Sequence, residues 1–381
     1  MTGTDPRKPE SAAVITGIGT SAIGRRLGVD PWRLTADAAL AAIADAGLTP
    51  ADIDGVSTYP GEIGSTPGIT GAGADDVRVL LGLQPRWYTG ARELPGQLGA
   101  VVNAVLAVAG GLADHVLCFR TVWESTAQTQ LGGRSETVAA SLAHERTQWT
   151  APYGAGYATY GGLQAQRYLH DTGSTRAQLG QVAVTARAHA GRNPQAVYRT
   201  PMTLDDYLGA RMISDPLCIY DCDVPVDGAI AFVISRAGGL ADTPGRSVAL
   251  EAIGSAPGFD AAADMLWSRT ELKPSDVGIA QLYDGFSVLA LRWLEALRLC
   301  PRGDGGRFVE GGHRIALDGE LPLNTNGGQL SAGRLHGFGG LHEACLQLRG
   351  AADGRQVTPY PHVAVVSSGA EAFTSALLLT L

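Results

Sequence analysis

The chain has 381 residues, 45% of them hydrophobic and 17% charged, enough for two domains or one large layered unit with buried cores. Its 37 acidic residues outnumber 29 basic ones, and the net charge of −8 excludes the electrostatic footprint of a nucleic-acid or anionic-membrane binder. The five cysteines (Cys118, Cys218, Cys222, Cys300, Cys345) are odd in number and lack a pairing rhythm or companion histidines, which points to a reducing cytoplasm and away from a zinc site.

The polar N-terminus "MTGTDPRKPESAA" has no apolar signal core. "SAAVITGIGTSAIG" reads as a buried strand and a glycine turn. A dinucleotide fingerprint would need a third glycine where Ala22 stands. "DPWRLTADAALAAIADAGL" predicts an amphipathic helix with Asp30 as N-cap, Pro31 at N1 and Gly47 as terminator. A turn and a second strand follow in "TPADIDGVSTYP". A long helix spans about residues 95–110, and "DHVLCF" is the next strand. "GAVVNAVLAVAGGLADHVLCF" is the most membrane-like run, but Asn103, Gly110, Gly111, Asp114 and His115 make it a buried helix followed by a strand.

From Thr121 to about Asp215 the chain turns polar and rich in tyrosine and glycine, as in "APYGAGYATYGG", with a helix in "RAQLGQVAVTARAHAG". It reads as a long insertion, the kind of segment that shapes a substrate tunnel. Tyr153, Tyr157 and Tyr160 either line that channel or pack the insertion. "ISDPLCIYDCDVPVDGAIAFVIS" reads as a tight scaffold connector in which Asp227-Gly228-Ala229 opens an apolar strand.

The second half repeats the first. "LTPADIDGVSTY" and "LKPSDVGIAQLY" share leucine, proline and aspartate before an apolar strand ending in tyrosine. "RSVALEAIGSAPG" precedes the second copy, and the helix "SVLALRWLEALRL" and strand "HVAVVSSG" follow it. Two similar α/β halves are implied. At the strand-to-helix junction "QLYDGFS", Tyr283 and Asp284 occupy the place where open α/β sheets keep their chemistry. "NTNGGQLSAGRLHGFGGLHEACLQL" is dense in glycine, as close backbone approach to a ligand or another loop requires. His336 lies among those glycines, while His342 falls in the following helix. Helix N-termini here and after Tyr283 would supply donors for a developing oxyanion. "VVSSGAEAF" is no nucleophile elbow.

Taken together these blocks resemble the thiolase superfamily, in the branch of sterol-carrier-protein-type thiolases and lipid-transfer proteins. "DPLCIYDCDVPVDGAIAFV" looks like the block closing the family's first half. "YDGFS" stands where thiolases carry Asn-Glu-Ala-Phe, and "NTNGGQLSAGRLHGFGG" matches their glycine-rich histidine loop. The resemblance implies a duplicated five-layered α-β-α-β-α fold. Residues 1–120 and 216–238 would form one half, 239–381 the other, and 121–215 an inserted loop domain. It also implies an acyl-CoA site with Tyr283, Arg334 and His336 as catalytic candidates. Asp284, Gly328, Gly333, Gly337, Phe338, Ser368, Tyr153 and Tyr157 would surround the substrate. Asp284 would cap the helix beginning at Gly285 or Phe286.

The departures from thiolases are chemical. "GARELPGQLGA" has no cysteine where the family keeps its nucleophile, and Ser367 and Ser368 stand where its second cysteine falls. The loop histidine aligns with Arg334, two residues before His336. Acyl-enzyme thiolysis loses its nucleophile, whereas a thioester enolate remains supportable. Retro-aldol cleavage needs such an enolate and a base, with no covalent intermediate. A Schiff-base route lacks its lysine, since Lys8 lies in the tail and Lys273 in an exposed turn. The histidines are too scattered for a metal site.

The resemblance therefore implies a steroid side-chain-cleaving aldolase acting on a β-hydroxyacyl-CoA, with Tyr283 as acid/base in the field of Arg334 or His336. CoA enters only as part of the substrate, and no bound cofactor is expected. Such aldolases look to a homodimer joined by a small OB-fold/zinc-ribbon protein in a heterotetramer. Two alternatives stay open at this point. One is a silent acyl-CoA- or lipid-binding subunit, and the other is a thiolase with a relocated nucleophile, for which Cys345 is the candidate.

Overall fold

The computed structural model describes residues 8–59, 68, 71–90, 97–130, 151–242, 246–371 and 373–381. In chain order the first half contributes β1 (Ala13–Thr20), α1 (Pro31–Asp45), β2 (Gly55–Thr58), α2 (Ala74–Leu81), β3 (Trp87–Gly90), α3 (Gly99–Ala109) and β4 (His115–Trp123). Next come α4 (Glu124–Gln130), α5 (Tyr157–Thr172), α6 (Arg176–Ala190), α7 (Leu204–Leu208), the small pair β5 (Met212–Ser214) and β6 (Leu217–Cys218), and β7 (Asp227–Arg236). The second half holds β8 (Val248–Ser255), α8 (Phe259–Trp267), β9 (Ile279–Gln281), α9 (Ser287–Ala296), α10 (Gly305–Val309), α11 (Phe338–Leu348), β10 (Val363–Ser368) and β11 (Ser375–Thr380).

The duplication is visible in the strand order β3-β2-β4-β7-β1-β8-β11-β10-β9. Outward from the β1–β8 junction, each half runs antiparallel, antiparallel and then parallel. β1–β7–β4–β2 in one half answers β8–β11–β10–β9 in the other. The halves meet through a short register, Val14 with Ala249 and Ile15 with Val248.

Three buried apolar clusters divide the molecule into layers. One lies between α1, α2 and the first half-sheet. The central one packs α3 and α11 between strands of both halves. The third joins the second half-sheet to α8, α9 and the helices of the insertion. The α-β-α-β-α order is therefore outer helices, half-sheet, central helices, half-sheet and outer helices.

Two expectations are corrected. The "GIGT" glycines do not turn the chain, because β1 runs through them to Thr20. They thin the strand where α1 crosses it: a Cβ on Gly17 would lie 2.1 Å from the Ala42 carbonyl oxygen, and one on Gly19 2.3 Å from that of Ala38. Gly254 does the same in β8, where a Cβ would come within 2.0 Å of the Ala262 carbonyl on α8. β4 also continues to Trp123, past the proposed boundary at residue 120. Asp30 does cap α1, accepting from the Trp32 N–H at 2.7 Å. The long helix is described from Gly99, and residues 91–96 of its expected start lie outside the described set.

A branched side chain at either helix crossing has nowhere to go. Gly19→Val or Gly254→Val is expected to cost about 3 kcal/mol, at the upper end for overpacking, and to lower the thermal midpoint clearly. Gly354→Ala, where a Cβ meets nothing within 4 Å, is the control and should leave the midpoint within a degree or two.

Candidate active site

β2 and β4 run parallel in one half, β9 and β10 in the other, and the chemistry collects where these four strands end. Tyr59 follows β2, Arg120 lies in β4 with Glu124 just beyond it, Tyr283 and Asp284 follow β9, and Ser367 and Ser368 close β10.

The Tyr283 hydroxyl accepts a hydrogen bond from Gln97 Nε2 at 3.1 Å, and Gln97 Oε1 accepts from Ser368 Oγ at 2.9 Å. Ser367 Oγ accepts from the Tyr283 N–H at 3.0 Å. The stretch in which thiolases keep their nucleophile here supplies Gln97, an amide that holds a phenol. With its oxygen already accepting, Tyr283 has its own proton free to donate. Burial, and after it the nearby Asp223 carboxylate, push the Tyr283 pKa up, while Gln97 and Arg334 pull it down without prevailing. In the resting site Tyr283 is a neutral donor, which matches the acid side of the acid/base role expected of it and not the base side.

His336 has a φ of +50°, a left-handed backbone uncommon for a non-glycine residue. The glycine density around it does not leave it without neighbours. It is 9% exposed, its N–H donates to Gln329 Oε1 at 3.0 Å, and Arg120 Nη2 lies 2.9 Å from its Nδ1. A guanidinium only donates, so Nδ1 must accept, and the imidazole proton sits on Nε2. Burial first, then the positive charges of Arg120 and Arg334, hold its pKa well below the ordinary histidine range. His336 is thus a neutral imidazole with a fixed tautomer, and its remaining ring function is an N–H donor.

Arg334 supplies no free cation. Its Nε donates to Glu124 Oε2 at 2.8 Å and its Nη1 to Asp223 Oδ1 at 3.0 Å. Burial opposes its charge, but Asp223 and Glu124 more than offset that, and its pKa rises. Asp223 is the partner with a choice. Burial, with Glu124 and Asp284 nearby, pushes its carboxyl up to about 7 against the pull of Arg334. Its N–H donates to the Gly285 carbonyl at 3.1 Å, which ties the supposed scaffold connector to the turn that carries Tyr283.

Asp284 caps no helix. α9 begins at Ser287 with Phe286 at its N-cap position. The Asp284 carboxylate instead accepts the Gln329 N–H at 2.9 Å and anchors the π-helical turn Gly328–Ala332. A Cβ on Gly328 would stand 1.9 Å from Asp284 Oδ2, which explains that glycine. Burial lifts Asp284 to about 6. Gly337 makes room for Ser368, whose Oγ would be 2.7 Å from a Cβ there, and Gly333 makes room for Val226.

Phe338 is corrected outright. It is fully buried against Phe232, with ring centroids 5.4 Å apart, and presents no surface to a substrate. Tyr153 and Tyr157 are 87% and 77% exposed, outside the buried centre. Tyr157 is one turn from Gly161, where a Cβ would press on the Phe286 ring, so α5 leans over the Tyr283 turn.

Sequence reading missed Gln97, Arg120, Glu124 and Asp223. The acidic run "YDCDVPVDG" was the signal available for Asp223. Glu124 carried a weaker hint, as an acidic residue directly after the apolar strand β4.

The cysteines offer no nucleophile. Cys345 is fully buried and burial pushes its thiol up to about 12, as for Cys222 and Cys300; Cys218 rises to about 11. Among the described residues no cluster of three or more His, Cys, Asp or Glu could hold a metal, and no helix is long and apolar enough to cross a membrane.

The neutrality of His336 is testable by itself. Arg120→Gln removes both a positive neighbour and the donor to Nδ1. The His336 ring, followed by NMR, should then titrate at higher pH than in the wild type, where it stays neutral throughout. A ring already protonated near pH 6 in the wild type would contradict the assignment.

Residues 249–381 match the family model described as thiolase C-terminal domain-like. Over 96% of its length the chain is 33% identical to the 17-hydroxy-3-oxo-4-pregnene-20-carboxyl-CoA lyase of Mycobacterium tuberculosis, covering 98% of that protein. It is 34% identical, over 89% of its length and 90% of the relative's, to a steroid side-chain-cleaving aldolase of Thermomonospora curvata. The solved Ltp2-ChsH2(DUF35) aldolase superposes with a TM-score of 0.85 at 31% identity, covering 97% of this chain and 98% of that one. Human mitochondrial 3-ketoacyl-CoA thiolase, at 15% identity and a TM-score of 0.68, shares the fold. With these relatives and this cysteine-free site, the chain belongs to the thiolase superfamily, in its family of side-chain-cleaving aldolases.

Proposed function

We propose that the chain catalyses retro-aldol cleavage of a β-hydroxyacyl-CoA on a steroid side chain, giving a steroid ketone and a short acyl-CoA such as propionyl-CoA. One observation carries the reading. A neutral imidazole N–H and a protonated phenol stand beside a buried carboxyl near neutrality, and the described thiols are all raised.

The chemistry divides among these groups. The Asp223 carboxylate accepts the β-hydroxyl proton. The deprotonated β-oxygen becomes the ketone carbonyl as the Cα–Cβ bond breaks, and the electron pair of that bond passes to the thioester as an enolate. His336 Nε2–H and the Tyr283 hydroxyl donate to the enolate oxygen, each worth about 3 kcal/mol in a water-poor site. Return of a proton to Cα completes the acyl-CoA, so atoms and electrons balance without a nucleophile. Arg334 keeps Asp223 in place, and Gln97 turns the Tyr283 proton outward.

The name of the Mycobacterium tuberculosis relative supports a steroid carboxyl-CoA substrate. The solved aldolase carries two components in its name, which supports a second, smaller subunit here; we assign it the OB-fold/zinc-ribbon type around a homodimer. Among the described residues β3 pairs only with β2 and exposes Tyr88, and an edge of this kind suits a second copy. Five free cysteines suit the cytoplasm.

Purified with such a partner, the wild type should release ketone and short acyl-CoA. Asp223→Asn should lower kcat by about 10²–10⁴, the range for a general base, and Tyr283→Phe by about 10²–10³. Because the base works only when ionised, kcat/KM should fall as pH drops through about 7, and this limb should vanish in Asp223→Asn. Tight acyl-CoA binding with no cleavage in the wild type would instead identify a silent binding subunit. Thiol alkylation should leave cleavage intact.

A further inference from the structure

β1 runs on to Thr20, but β8 begins at Val248, opposite Ile15. Among the described residues no strand therefore lies beside Ile18–Thr20 on that side, and the seam between the two halves opens there into a cavity of about 570 Å³. α1 and α11 wall it, and the small residues Gly19, Ala41 and Ala351 leave it room. The volume lies within the usual range for small-molecule sites. None of the residues lining it belongs to the site around Tyr283 and His336.

Two arginines meet one carboxylate in this cavity. Asp45, the last residue of α1, accepts the Ile18 N–H at 2.9 Å and Arg349 Nη1 at 2.7 Å, both through Oδ2, and Arg246 Nη2 through Oδ1. Arg349 also donates from Nη2 to the Thr16 carbonyl at 3.1 Å and from Nε to the Arg246 carbonyl at 2.7 Å. Asp45 and Arg349 thus satisfy the open edge of β1, as a buried strand edge requires. That accounts for three of the five N–H groups of Arg349 and leaves two. Arg246 brings a second positive charge and is half-exposed. Asp45 is the only carboxylate among the described lining residues. Glu343, next to His342 in the chain, is taken up by Arg355 Nε and Nη2. In a chain of net charge −8, the cavity keeps one positive charge uncancelled.

His342 adds a donor. It lines the cavity from α11, and its ring has no hydrogen-bond partner among the described residues. Burial, helped by Arg355 and Arg349 against Glu343 and Asp45, pushes its pKa down to about 4. A neutral imidazole keeps one N–H to give. Ile18 and Leu346 supply apolar wall. An oxyanion is what two guanidiniums and a neutral N–H accept together, and a planar carboxylate matches the guanidinium fork. The apolar wall calls for a hydrocarbon or aromatic body behind it.

We propose that the seam cavity binds a small organic carboxylate, with Arg246, Arg349 and His342 around its head and Ile18 and Leu346 against its apolar body. Its occupancy is independent of the cleavage reaction.

The test titrates the full chain with benzoate and follows the His342 ring by NMR, with benzamide and sulfate as controls. Benzoate should bind saturably and raise the His342 pKa, because an anion at hydrogen-bond range favours the imidazolium. Benzamide lacks the charge and sulfate the apolar body, and each should bind about 10-fold more weakly or worse. Arg246→Gln should weaken benzoate about 10- to 100-fold, the range for a lost charged hydrogen bond. Ala351→Glu, at an exposed position on the cavity rim, supplies an internal counter-ion and should abolish binding. That second variant keeps the test open if the Arg246 variant fails to fold. No saturation below about 10 mM, full affinity in Arg246→Gln, or benzamide as tight as benzoate would overturn the inference. Sulfate as tight as benzoate would reduce the cavity to a general anion hole and overturn the carboxylate assignment. Displacement of benzoate by CoA would place the probe in the cleavage site and do the same.

Discussion

Everything at the strand ends depends on one buried ion cluster, Arg334 held between Glu124 and Asp223. Its three members come from three places: the end of β4, the connector before β7 and the glycine-rich loop. A cation at that depth could not persist alone. With one carboxylate it would be neutralised, and with two it leaves a surplus negative charge. Burial first, and that surplus after it, lift Asp223 toward neutrality and keep Tyr283 protonated. The site's proton inventory is therefore set by packing. The same cluster joins both halves of the duplicated fold to the base of the insertion.

Around that cluster the site is organised by occupying the ordinary functions of each side chain and leaving one free. Gln97 occupies the Tyr283 oxygen, Arg120 occupies His336 Nδ1, and the Gln329 N–H occupies one oxygen of Asp284. Three buried atoms of the site, Glu124 Oε1, Asp284 Oδ2 and Gln329 Nε2, have no hydrogen-bond partner among the described residues. Buried polar atoms rarely stay unsatisfied, and they gather at places that receive ligands. A thiolase would have used this geometry to support a thiolate. Here the thiols of Cys118, Cys218, Cys222, Cys300 and Cys345 are raised by burial, and the neutral donors remain.

Much of the architecture was legible in the chain because it rests on local signals. The paired "LTPADIDGVSTY" and "LKPSDVGIAQLY" blocks become β2 and β9, equivalent positions in the two half-sheets. Asp30 and Pro31 open α1 as their chemistry requires. That Tyr283, His336 and Arg334 come together was legible because they lie at a strand end and in a glycine-dense loop. Their protonation was not legible, because it depends on partners more than a hundred residues away in sequence: Arg120 is 216 residues from His336, and Glu124 210 from Arg334. Gly17 and Gly19 misled for a related reason. A glycine that opens a turn and one that admits a helix look alike until the helix is placed. Phe338 misled because an apolar residue beside a functional histidine faces the core as readily as the ligand.

The central claim is cleavage through a protein-stabilised enolate, with no acyl-enzyme and no second CoA. It is tested most directly by running the purified complex in D₂O with a β-hydroxy steroid acyl-CoA and weighing the released acyl-CoA by mass spectrometry. The account predicts ketone release without added CoA and a single deuterium fixed at the α-carbon of the acyl-CoA. Cleavage that requires free CoA, or an acyl group found covalently on the protein, would contradict it.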